Sequence, residues 1–217
     1  MTTGRIWGVI GAAVLLVVGA IGWHLRGCVT DQKAGVSEVG KCWLKVRTTT
    51  QKYYDEQSAF HDEADWFMDN IGKRKPTAAS IEKDKRHLVS SVKTLDHDCN
   101  DVRSARYEFL RSWSNMENMF LVKHTNWGDI SGLCAGWLPL AQELMAIDAK
   151  ELASSDKARQ DFYSTKPQIE DFSRNLQRNR EAERRQASDI EGVFGNISNR
   201  SMFSNSWICM KIAFGSK

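Results

Sequence analysis

Two histidine–aspartate pairs are the first residues in this sequence whose types and spacing suggest chemistry. His61 and Asp65 stand four apart, and so do His97 and Asp101. On helices each pair would share a face, and two such pairs brought together could hold a metal ion. The di-iron bundle pattern, however, needs Glu-x-x-His on two helices with further glutamates, and Glu-x-x-His does not occur here. Solvated surface pairs are therefore the better reading. His97-Asp98-Cys99 is suggestive as a string, yet successive helical residues point about 100° apart and do not converge. No phosphate loop, dinucleotide fingerprint, nucleophile elbow or kinase signature is present. Catalytic residues, cofactors and bound metals are accordingly not expected, and the chain reads as a non-enzyme.

The five cysteines, Cys28, Cys42, Cys99, Cys134 and Cys209, are widely spaced and include no Cys-x-x-Cys, which argues against structural zinc. Disulfides are compatible with a domain outside the cytoplasm, but sequence alone does not pair them. Cys28 has another candidate use. Leu25-Arg26-Gly27-Cys28 resembles a bacterial lipobox, with Arg26 departing from the small or apolar residue expected there, so Cys28 is a candidate lipidation site. Arg174, Arg178, Arg180, Arg184 and Arg185 form a basic segment, but Glu170, Asp171, Glu181, Glu183 and Asp189 interleave with it. That pattern suits a salt-bridged helix face better than a phosphate or nucleic-acid surface. The net charge of +3 likewise gives no reason to expect nucleic acid. Of eight tryptophans, Trp127 and Trp137 fall near loops or element ends and are candidate partner contacts, with core satellites as the alternative.

The elements that must position these residues begin with an apolar run. Ile6 to Trp23 is 18 residues without a charge, about 27 Å as a helix, against a bilayer core of about 30 Å. Arg5 precedes it, Trp7 and Trp23 stand at its rims, and His24 and Arg26 follow. A signal-anchor helix is the first reading of residues 1–25; a lipoprotein signal ending at Cys28 and a removed secretory signal are the alternatives. Loop charges slightly favour a cytoplasmic domain and the lipobox the opposite; the expectation adopted is a single-pass protein of the bacterial inner membrane with its domain extracytoplasmic.

Residues 26–38 read as a polar, Gly-containing connector, and 39–217 as a helical domain. Val39, Trp43, Val46 and Tyr53 mark the apolar face of a first helix that stops between Asn70 and Pro76. Thr77 or Ser80 can cap the second. There Ile81, Leu88, Leu95, Val102, Phe109 and Met116 repeat every seven residues, with Val92, Cys99, Trp113 and Phe120 in a companion row that Arg106 interrupts. A seam of this length packs on another helix of the chain by default, with a second copy of the chain, a homo-oligomer, as the alternative. Lys123 to Gly136 reads as a loop. A third helix starts near Leu138 or Pro139, and a fourth runs from about Pro167 to Ile190 or Phe194. The predicted fold class is all-α: an N-terminal anchor followed by an antiparallel bundle with one long heptad-patterned, coiled-coil-like helix.

Several segments together resemble the LemA family of bacterial membrane proteins. Val39, Trp43, Val46, Gln51 and Asp55 stand at the spacings of the motif that follows the family's anchor. Leu138-Pro-Leu-Ala-Gln-Glu-Leu144 is similar to its Leu-x-Leu-x-x-Glu-Leu stretch, and Ala158-Arg-Gln-Asp-Phe162 to its Ala-Arg-Arg-Asp-Tyr. Phe194-Gly195 with Phe203 resembles its closing element. The family's Leu-Ile-Pro-Asn-Leu run is absent, and Lys52-Tyr53 stands where it has Arg-Arg. The resemblance implies an anchored helical architecture and no catalytic residues. The functional expectation is a non-enzymatic scaffold or interaction module at the cell envelope, binding a protein partner. A ligand-sensing bundle and a phage-type envelope or lysis component are the alternatives.

Overall fold

The computed structural model describes the backbone of residues 3–120, 137–200 and 202–214, and the side chains of residues 14–72, 74–120, 137–200 and 204–213. Every element among them is an α-helix: α1 (Thr3–Lys73), α2 (Ala78–Phe120), α3 (Leu138–Met145), α4 (Ala149–Ser154), α5 (Asp156–Tyr163), α6 (Lys166–Ser198) and α7 (Met202–Phe214). The chain is thus an all-α helical bundle, as its composition predicts. All three prolines, Pro76, Pro139 and Pro167, fall in a linker or a first helical turn, where a missing N–H costs nothing.

The residues form two compact units, the first within Met1–Cys42, Phe109–Thr125 and Ile190–Lys217, the second within Trp43–Glu108 and Asn126–Asp189. In the first unit, the N-terminal part of α1 is long and apolar enough to cross a membrane. Its described apolar side chains are uncovered: Leu15 is 73% and Leu16 75% exposed. The predicted connector at 26–38 is corrected here, because those residues continue α1 without a break. Gly35 is not a point of flexibility but of close approach: a Cβ there would meet the end of the Met119 side chain. Val29, Gln32 and Val39 bury the same stretch, and the Gln32 side-chain amide donates to the Met119 carbonyl at 2.9 Å. A disulfide joins Cys28 on α1 to Cys209 on α7, with Cα atoms 6.0 Å apart.

The core of the second unit gathers Tyr53, Phe60, Phe67 and Ile71 of α1, Ile81, Leu88, Leu95 and Val102 of α2, Leu140 and Leu144 of α3, and Ile169 and Phe172 of α6. The heptad positions of α2 are buried within the chain, including Phe109 and Met116 in the first unit. Intramolecular packing therefore covers the seam, and no second copy is needed to do so. Thr77 caps α2, its hydroxyl accepting from the Ser80 N–H at 3.2 Å. The third helix, predicted to start near Leu138, ends at Met145, and two short helices follow it. Asp148 caps α4, accepting from the backbone of Lys150 and Glu151, and Ser155 ends α4 while capping α5.

Gly72 supplies a contrast with Gly35. A Cβ on Gly72 would collide with three ring atoms of Tyr163, so the whole ring would have to move, whereas a Met119 methyl can swing aside. Alanine is about 1 kcal/mol better than glycine in a helix interior. Gly35→Ala is expected to be neutral or stabilising by up to about 1 kcal/mol, and Gly72→Ala to destabilise by about 1–3 kcal/mol. Urea denaturation of the two variants followed by circular dichroism checks the opposite signs.

Candidate ligand pocket

Arg106 is where the apolar pattern of α2 breaks. Its guanidinium is buried and ion-paired with Glu183 of α6. Beside the pair lies Tyr54 of α1, whose ring packs under the Arg180 guanidinium at 5.3 Å. Arg180 also donates to the Tyr54 carbonyl and, at 2.9 Å, to the Ser58 hydroxyl. Burial, reinforced by the nearby Glu183 carboxylate, pushes the Tyr54 phenol well above its ordinary range, so it is a neutral hydroxyl at physiological pH. α1 and α6 leave a cavity of about 220 Å³ here, lined chiefly by Trp43, Thr50 and Tyr54 on one side and Arg180, Glu183 and Arg184 on the other, with Arg47 at its edge.

The polar inventory of this cavity is unbalanced. The Thr50 hydroxyl, the Tyr54 hydroxyl and the Arg180 Nε are buried and have no hydrogen-bond partner among the described residues. A buried polar group left unmatched costs about 1–3 kcal/mol. All three belong to residues that line the cavity, a concentration that packing alone does not explain. Glu183 lines the cavity too, but Arg106 has already taken its charge.

The residues singled out in the sequence lie elsewhere. His61 does not pair with Asp65: Asp65 is held by Lys166 at 3.1 Å, and the His61 ring stacks on Phe172. Lys166 also binds Asp69 at 2.6 Å, and these carboxylates, Asp69 foremost, raise its pKa. His97 lies 3.5 Å from both Asp98 and Asp101, and the ligand atoms of the three fall within 4.8 Å of one another. Asp98 is buried and already neutralised by Lys52 at 2.7 Å, which raises the Lys52 pKa. Lys52 thus joins the cluster through one Asp98 oxygen.

Trp127 lies outside the described residues. Trp137 is only 3% exposed, and its indole N–H donates to the Tyr53 hydroxyl at 3.0 Å. It fills the core of the second unit and is not a partner contact, because its single polar atom is spent inside. The Cys28 sulfur is committed to Cys209 and is not free for a lipid thioether. Cys99 is disulfide-bonded as well, and Cys42 is a free thiol. Arg174 pairs with Asp171 and Arg185 with Glu181 along α6, the exposed salt-bridged face that the interleaved charges predict. Arg180 departs from that face. The pocket residues carry no sequence motif; the one signal was Arg106 in an apolar row.

No family model, curated protein or solved structure matches the chain.

Proposed function

We propose that this chain is a single-pass, membrane-tethered helical domain that faces an oxidising compartment at the bacterial cell envelope and works there as a non-enzymatic binding module. The observation that carries this reading is the Cys28–Cys209 disulfide. It stands five residues beyond Trp23, the end of the apolar run, and disulfides persist on the oxidising side of a membrane and not in the cytoplasm. A helix end that is apolar yet uncovered adds support, since core helices are buried and lipid-facing ones are not. The bridge favours the signal-anchor reading over the lipoprotein one, because a lipidated Cys28 would have no sulfur left to pair. An anchored helical domain is also what the LemA resemblance implies. The pocket between α1 and α6 favours the second reading, a ligand-sensing bundle, over a scaffold acting by its surface alone.

Thiol mapping of the full chain in intact and lysed cells tests the proposal. Without reductant a maleimide is expected to label Cys42, while Cys28, Cys99 and Cys209 label only after reduction. The chain should stay with the membrane through a carbonate wash, and its intact mass should show an uncut, unlipidated N-terminus. Ready labelling of Cys28 and Cys209 in unreduced cells would place the domain in the cytoplasm and sink this assignment.

A further inference from the structure

We propose that the cavity between α1 and α6 in the second unit is a binding site for a small oxyanion, a carboxylate or phosphate group. This gives a ligand class to the binding-module reading and does not depend on the side of the membrane. The argument is the balance of donors and acceptors. Arg180 keeps an unpartnered Nε–H, and the hydroxyls of Thr50 and Tyr54 keep unpartnered protons. Arg184, which also lines the cavity, is exposed, with a guanidinium that no carboxylate among the described residues engages. Guanidinium groups offer only donors, arranged in a fork that matches a carboxylate or phosphate. The one acidic side chain on the wall, Glu183, is neutralised by Arg106 and so does not repel an anion as a free carboxylate would.

Size and wall chemistry narrow the class. A cavity of about 220 Å³ is smaller than a drug-sized site of about 300–1,000 Å³. It suits an anion of a few heavy atoms, or the anionic end of a longer molecule reaching in through the open side. Trp43 and Val46 give one flank an apolar surface, on which a small aromatic or aliphatic carboxylate would lie with its charge toward Arg180 and Arg184. Tyr54 and Thr50 hold the other unpartnered donors beside the cavity.

Isothermal titration of the detergent-solubilised full chain with inorganic phosphate, acetate and benzoate, at ionic strength matched with sodium chloride, tests this. At least one of the three is expected to bind saturably with one site per chain; phosphate alone would assign a phosphate ligand, and benzoate over acetate a carboxylate with an apolar body. Arg184→Gln is expected to weaken that binding about tenfold or more, since a charge-assisted bond is lost. Tyr54→Phe should weaken it severalfold. Arg185→Gln removes the same charge from the same helix, but at a position that is exposed and paired with Glu181, and should leave affinity unchanged. Arg184 is exposed, so its loss does not threaten folding, and circular dichroism of the variant verifies that. No saturable binding of any of the three anions, or equal losses for Arg184→Gln and Arg185→Gln, overturns the proposal.

Discussion

Arg106→Ala is expected to destabilise the full chain by about 3 kcal/mol, and Glu183→Ala by a similar amount. The reason lies in what each truncation leaves behind. Arg106 is buried in the companion row of α2, and Glu183 is largely covered on α6. Removing one partner strands the other charge away from water, which is far costlier than the net value of the intact pair. The double variant Arg106→Leu/Glu183→Leu is therefore expected to recover most of the loss, because desolvating two charges roughly offsets their mutual attraction. It also restores an apolar residue to the row that reads Val92, Cys99, Trp113 and Phe120 around it. Chemical denaturation of the four proteins, followed by far-ultraviolet circular dichroism, gives the cycle. Additive single losses, or single losses under about 1 kcal/mol, would mean that the pair behaves as a solvated surface contact.

Cys28→Ser/Cys209→Ser is expected to cost about 2–5 kcal/mol, from the loss of a cross-link between residues 181 apart in sequence. Loop-closure entropy grows slowly with length, so so wide a loop lies toward the upper part of that range. Both cysteines must be replaced together: a single variant leaves a thiol beside a chain that already carries the free thiol of Cys42. The effect should concentrate on α7, which has only 13 residues, too few to hold a helix in water without tertiary support. Limited trypsin digestion is expected to cut after Arg200 and Lys211 much faster in the double variant than in the oxidised parent. Equal digestion rates and equal denaturation midpoints would show that packing alone holds α7 in place.

The sequence is most legible where one helix carries its own instructions. The seven-residue repeat of α2 marks its buried side from Ile81 to Met116, and Thr77 marks its start, because both depend only on spacing along the chain. The stop near Pro76 and the start near Pro167 are equally local. The stretch after the anchor misleads because a glycine signals a loop and a close helix approach equally well; only Met119, far off in sequence, decides it at Gly35. Trp137 misleads for the same reason: next to a loop it reads as a surface residue, and its hydrogen bond to Tyr53 spans 84 residues. The pocket was out of reach altogether. Tyr54 and Arg180 meet across 126 residues, and within the arginine-rich segment nothing local separates Arg180, which turns inward, from Arg174 and Arg185, which pair along the helix.

The Cys28–Cys209 bridge makes the molecule a covalent loop closed next to its apolar N-terminal segment. A single proteolytic nick anywhere between those two cysteines would sever the backbone without freeing either piece, since the C-terminal fragment would stay bound through sulfur to the apolar N-terminal segment. Shedding of the domain would then need a second event, reduction, and a protein nicked in an oxidising compartment would be retained where an unbridged one would be lost.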